Sequence, residues 1–272
     1  MSEGMLDGKV AVVTGGGNGI GRALVLNLVS KGARVAAVDL SETALNETVE
    51  LAGEHRKKIS THLVNVSDKT AVEALPQQVI EAHGTVDGII NNAGIIQPFV
   101  RFNELQYSAI ERVINVNLYG VIYMTKAFLP HLLDRPEAHI VNVSSMGGFF
   151  PFPGQTMYGA SKAAVKLLTE GLYSELIETN VNVTVIFPGA IATNITRNSG
   201  ATVPGNSDVE ASGNRQVTSP DKAAETITNG MEDNKFQVYV GNDAKMMNLI
   251  YKLVPQWATR FIQRQMKGML EN

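Results

Sequence analysis

The chain has 272 residues, 44% of them hydrophobic and 18% charged, with a formal charge of −3 and no cysteine. That composition supports a sizeable core and, with no long basic run, argues against a nucleic-acid surface; without thiols there are no disulfides and no thiolate metal sites. The N-terminal residues lack a signal-peptide pattern and no stretch nears the roughly 18 apolar residues of a membrane span, so the reading is a soluble, cytoplasmic protein without membrane association.

In chain order, the first apolar run, Val10–Thr14, reads as a strand that leads through "GGGNGIG" into a helix. Gly15, Gly19 and Gly21 would let the backbone approach a pyrophosphate at the positive end of that helix, with Asn18 and Ile20 completing the turn. The second strand, Arg34–Asp39, ends in an acid followed by Leu40. A carboxylate there can accept both ribose hydroxyls of an adenosine and would repel the extra phosphate of NADP. No Lys or Arg stands in the glycine turn before Arg22 or directly after Asp39. The balance favours NAD.

A third strand is expected over Thr61–Val66, ending in Asn65 and Val66, and a fourth over Gly88–Asn91, followed by Asn92, Ala93 and Gly94. Asn117 falls inside a helical stretch. The fifth strand, His139–Val143, runs into the Ser144–Ser145 pair. "MYGASK" then places Tyr158 and Lys162 at i, i+4, on one face of a helix. The sixth strand, Val181–Phe187, leads to Pro188, Gly189, Ile191 and Thr193. Residues 190–219 are rich in Gly, Asn, Ser and Thr, and they read as a substrate loop before a helix capped by Ser219 and opened by Pro220. A seventh strand, Gln237–Val240, precedes an amphipathic extension over 243–272 that holds the only tryptophan, Trp257.

The strands are almost continuously apolar, which suits parallel strands buried on both faces. The expected fold is α/β: a Rossmann-type doubly wound parallel sheet of about seven strands with helices on both faces, in a single domain over 1–272. The five histidines show no metal-ligand spacing, and no metal is expected.

The ordered set Thr14-Gly15-x-x-x-Gly19-x-Gly21, Asn91-Asn92-Ala93-Gly94, Asn117, Ser145, Tyr158-x-x-x-Lys162 and Pro188-Gly189 with Thr193 resembles the short-chain dehydrogenase/reductase family from Lys9 to about Gly241. The resemblance implies a nicotinamide cofactor and reversible oxidation of alcohols to carbonyls. It also implies a catalytic tetrad of Asn117, Ser145, Tyr158 and Lys162, and a homodimer or homotetramer. Tyr158 would be the acid/base, with the Lys162 ammonium lowering the phenol's pKa from about 10. Ser145 would hold the substrate oxygen, and it is preferred to Ser144 because the family uses the second serine of such a pair. Asn117, by resemblance, holds a water linking Lys162 to solvent. Asn65 departs from the family's commoner aspartate, though its amide oxygen can still accept from an adenine amine.

The residues expected near the reacting carbon are apolar: Ile95, Ile96, Met146, Phe149, Phe150, Phe152, Met157 and Ala190. Gln97 and Gln155 are the nearest polar candidates. Such a lining favours a hydrophobic secondary alcohol or ketone. The run "GGFFPFPG" reads equally as core or subunit contact, and the extension could cap the cleft, meet another subunit or lie on a membrane interface. The competing functions are a non-catalytic NAD-binding sensor or scaffold, an NADP-dependent carbonyl reductase, and a lyase or epimerase. The last would need further acid/base residues, and none stands out.

Overall fold

The computed structural model describes residues 6–201 and 217–269. Elements alternate along the chain: β1 Val10–Thr14, α1 Gly19–Ser30, β2 Arg34–Asp39, α2 Glu42–Leu51, β3 Ile59–Leu63, α3 Lys69–His83 and β4 Gly88–Asn91. There follow α4 Tyr107–Ile114, a π-helical turn Asn115–Tyr119, α5 Gly120–Leu133, β5 Ala138–Val143, α6 Thr156–Leu176 and β6 Val181–Pro188. The chain continues through α7 Ile195–Asn198, α8 Pro220–Glu232, β7 Gln237–Val240, α9 Asn242–Leu253 and α10 Pro255–Met266.

All seven strands are parallel, in the order β3-β2-β1-β4-β5-β6-β7. This is the Rossmann-type doubly wound sheet. Its alternating side chains feed two cores. Ala11 and Val13 pack on one face with α1 and α8, whereas Val10 and Val12 pack on the other with α3 and α5. Because both faces are covered, polar strand residues need buried partners, as where Asn91 Nδ2 donates to Asn142 Oδ1 at 2.8 Å, and the runs are otherwise nearly continuously apolar. The order reverses direction between β1 and β4, and the crevice beyond their carboxyl ends is where such sheets bind ligands.

Local chemistry starts the helices. Asn18 Oδ1 accepts from Gly19 N at 2.7 Å at the head of α1, and Asp68 Oδ1 caps α3 through Thr70 N and Ala71 N. Ser219 Oγ accepts from Lys222 N at 3.2 Å, with Pro220 in the first turn of α8, as expected.

One expectation needs correction, and one open reading narrows. The third strand begins and ends earlier than the expected Thr61–Val66, because its one partner, β2, stops at Asp39, which pairs with Leu63. Of the two readings left open for the aromatic run, Phe150 takes the core one. Phe150 is buried, with ring centroids 5.4 Å from Phe152 and 5.7 Å from Tyr251, in a third cluster closed by Ala258 and Ile262. The extension therefore packs on the loop that follows β5. Of the expected substrate loop, residues 202–216 lie outside the described residues; Ile191 bridges Thr218, and α7 forms within the described part. Residues 270–272 of the extension also lie outside them. No helix among the described residues is long and apolar enough to cross a membrane.

Candidate active site

The glycine turn sits at the carboxyl end of β1, and α1 presents its N-terminus there. Gly15 has φ +69°, and a Cβ at that position would stand 2.9 Å from Asn92 Nδ2. Only glycine allows the turn to approach the Asn92–Gly94 loop so closely. That loop is fixed by Thr14, whose Oγ1 accepts from Asn92 N and Ala93 N, each at 3.0 Å, while Asn92 Nδ2 donates to Thr14 O. Thr193 reaches the same turn, since a Cβ on Gly19 would lie 3.2 Å from its methyl group. Gly19 and Thr193 line one cleft of about 320 Å³. Ile20 and Ile191 pack at the edge of the first core. Pro188 pairs with Val240, and Gly189 N donates to Val240 O at 2.9 Å, holding the segment after β6 in place.

Asp39 is preset. Its Oδ2 accepts from Gly17 N at 3.0 Å and its Oδ1 from Ser41 N at 3.1 Å. Leu40 beside it is 66% exposed. Arg22 lies nearer than its place in the sequence suggests, because Nε donates to Gly17 O at 2.9 Å. Its guanidinium is committed, however, to Thr48 Oγ1 and to an ion pair with Glu47 at 2.7 Å. Asn65 differs from expectation. Its Oδ1 already accepts from Ser67 N at 3.0 Å and Ser67 Oγ at 2.8 Å, so the amide oxygen reserved for an adenine amine is spent on its own turn. The Val66 side chain belongs to the second core.

The four candidate catalytic residues come together at the ends of β4 and β5. Ser144 Oγ donates to Lys162 O at 2.7 Å and so belongs to the packing of α6; Ser145 is the serine that acts on the Tyr158 hydroxyl, lowering its pKa. A Cβ on Gly147 would lie 3.3 Å from the Tyr158 ring, so the loop runs directly along the phenol. Lys162 is 4% exposed, and its Nζ donates to Val143 O at 2.9 Å. At Gly94 a Cβ would meet Lys162 Nζ at 3.1 Å and Asn117 Oδ1 at 3.3 Å, so that glycine lets three segments converge. Asn117 is fully buried in the π turn, a widened helical turn of the kind often found at functional sites. Its Oδ1 accepts from Ile95 N at 2.8 Å, while Nδ2 donates to Ile95 O and Ser161 Oγ.

Electrostatics departs from the expected lowering of the phenol by its lysine. Burial pushes Tyr158 above the ordinary tyrosine value, opposed by the Ser145 hydrogen bond. Burial also pushes Lys162 down to about 8. Desolvation dominates in both, because each charged form loses water.

The two polar candidates for the substrate lining are both buried. Gln97 is wholly buried: its Nε2 donates to Gly154 O, and its Oε1 accepts from Met157 N and Tyr158 N. Gln155 Nε2 donates to Gln97 O at 2.9 Å. Phe149 is likewise packed edge-on against Phe187. Sequence reasoning missed Ser161 and Ser199 as anchors, and it placed Thr14 in the motif without its hold on the Asn92–Gly94 loop; Ser199 Oγ accepts from Ile96 N at 2.9 Å. The one available signal was the start of α6, which lacks a Ser, Thr, Asp or Asn cap and so needs a partner from elsewhere.

Residues 9–204 match the family model described as short chain dehydrogenase. SadH of Mycobacterium tuberculosis, an oxidoreductase by name, is 39% identical over 255 residues, covering 91% of each chain. FabG of Thermotoga maritima, a 3-oxoacyl-(acyl-carrier-protein) reductase, is 38% identical over 193 residues, or 70% of this chain and 77% of that one. Among solved structures, a short chain dehydrogenase/reductase from Burkholderia phymatum in complex with NAD superposes with a TM-score of 0.80 at 28% identity, over 93% of this chain and 96% of the other.

Proposed function

The chain belongs to the short-chain dehydrogenase family, and from that premise we propose that it is an NAD-dependent oxidoreductase interconverting a hydrophobic secondary alcohol and its ketone. The coarser statement, an oxidoreductase of this family that binds a nicotinamide dinucleotide, rests on the family itself. One observation carries the finer reading: Tyr158, with Ser145 acting on its hydroxyl, stands one helical turn from a buried Lys162 beside Gly94 and Asn117.

The residues fit the dinucleotide. Gly15, Asn18, Gly19 and Ile20 offer a close-approach turn at a helix N-terminus, suited to a pyrophosphate. The preset Asp39, with Leu40 and Val66 at the rim, would take the adenosine, and Asn65 would shape that rim through the turn it holds rather than by accepting from the adenine amine. Asn92, Ala93, Gly94, Pro188, Gly189, Ile191 and Thr193 would frame the nicotinamide half, together with Tyr158 and Lys162. When bound, the nicotinamide accepts or gives the hydride, and its positive ring favours phenolate. Tyr158 would move the hydroxyl proton, Ser145 would hold the substrate oxygen as charge develops, and Lys162 would bind the ribose and support the phenol. Asn117 would fix the Ile95 backbone at the floor of the site. The apolar Ile95, Ile96 and Met157 suit a hydrophobic substrate.

We read the protein as a single cytoplasmic domain that works as a homodimer or homotetramer; exposed Tyr119, Leu167 and Ile177 around α6 offer apolar surface for a second copy. Nicotinamide absorbance against a panel of alcohols and ketones, with NAD(H) and NADP(H), tests the reading. A wild type that binds NAD but turns over no member of the panel in either direction would favour a binding protein instead.

A further inference from the structure

The helix that carries Tyr158 and Lys162 begins without a cap of its own, for Gln155 at its N-cap position makes no side-chain bond to the first turn. The first N–H groups of a helix have no partner inside it, and buried ones must find a partner elsewhere. Two of them find the same atom. Gln97 Oε1 accepts from Met157 N at 2.8 Å and Tyr158 N at 3.1 Å. Its Nε2 donates to Gly154 O at 2.9 Å, and its carbonyl accepts from Gln155 Nε2 at 2.9 Å. Gln97 is 0% exposed, so bulk water has no access to replace it. Gln97, in the segment after β4, thus caps the helix that begins at Thr156.

The same segment is held from two other sides. Asn117 brackets the Ile95 backbone through both its amide atoms, and Ser199 Oγ accepts from Ile96 N. Residues 95, 96 and 97 therefore bind in turn the π turn, the segment after β6 and the head of α6.

We propose that Gln97 is a positioning residue for Tyr158, setting the place of the phenol against Ser145 and the Asn92–Gly94 loop through the backbone of the first turn. The inference rests on the reading of Tyr158 as acid/base, but it concerns a residue which that reading leaves unused. Proton transfer needs heavy atoms within about 2.6–3.2 Å. A misplacement of about 1 Å costs on the order of a hundredfold in rate. Dinucleotide binding, spread along the sheet edge from Gly15 to Thr193, depends little on that distance.

The test compares Gln97→Met and Gln97→Glu with wild type and Tyr158→Phe in the full chain. Methionine keeps the length and removes both acceptor and donor; glutamate keeps an acceptor for the two N–H groups. In Gln97→Met, kcat should fall about ten- to hundredfold with the Kd for NADH within about threefold of wild type. Amide hydrogen exchange at residues 157 and 158 should quicken. Gln97→Glu should recover most of the rate at its optimum and keep the amides protected. Its pH–rate profile should move to higher pH, because a carboxylate at the head of the helix opposes phenolate. Wild-type kcat in Gln97→Met overturns the proposal, as does unchanged exchange at 157 and 158. If the methionine variant does not fold, an unmoved pH profile in Gln97→Glu overturns it. An active Tyr158→Phe sinks the acid/base reading and the proposal with it. An inactive Tyr158→Phe beside an unaffected Gln97→Met sinks the proposal alone.

Discussion

At the scale of single residues, the site depends on where charge is allowed. Burial holds Tyr158 protonated at neutral pH, which makes it a ready proton donor to a ketone oxygen. Reduction should therefore run flat through neutrality and decline at alkaline pH, whereas alcohol oxidation should rise into the alkaline range; kcat/KM against pH in both directions checks the sign. Tyr158→Phe should lower turnover by about 10²–10⁴-fold, the usual worth of acid–base catalysis, with NAD affinity within a few-fold. Retention of more than about a tenth of the rate would remove Tyr158 from that role. Asp39 is expected to decide the cofactor. A ribose phosphate facing its carboxylate should cost from several-fold to about a thousand-fold in affinity, since Arg22 nearby is already spent on Glu47. Asp39→Ala should narrow the preference mainly by weakening NAD, and a wild type that uses NADP as well as NAD would refute the assignment. These residues were legible because each belongs to a spaced motif. Gln97 was not, because its role depends on a partner 61 positions away whose backbone, not side chain, needs it.

Elements explain the next layer. The strand positions could be read because a parallel strand buried on both faces is apolar almost throughout. β3 could not be bounded that way, since its end is set by where β2 stops, and Val64 and Val66 stay buried beyond it. The π turn was equally hidden, for nothing in "INVNLYG" distinguishes a widened turn from an ordinary one. Its consequence can be measured. Asn117→Ala would leave the N–H and carbonyl of Ile95 without their side-chain partner, each a loss toward the low end of the about 1–3 kcal/mol of a fully buried group, since both bonds are only part-buried. Urea unfolding should show that destabilisation, and turnover should fall with it as the floor beside Lys162 loosens. An alanine variant of wild-type stability and rate would show that the Asn117–Ile95 bracket does nothing in solution.

For the molecule as a whole, acid should be a weak point. His139, with Nε2 2.8 Å from Thr184 Oγ1, is pushed by burial down to about 4 from 6.5. Burial lowers His62 and His83 as well. A histidine depressed in the folded state leaves stability intact above pH 6.5 and removes it as the pH falls from there toward 4, where the unfolded chain binds the extra proton. For His139 alone the loss approaches about 3 kcal/mol by pH 4. Unfolding free energies at a series of pH values should show that slope, and His139→Gln should flatten it. The small third core makes another long-range demand. Phe150 sits on the loop that carries Ser145, yet Tyr251, Ala258 and Ile262, which close over it, are encoded more than a hundred residues later. On a translating ribosome, the sheet as far as β5 can form while that phenylalanine still has no cover. The loop that shapes the reaction chamber can settle only after the extension has been made, so a nascent chain can look folded well before it can be active.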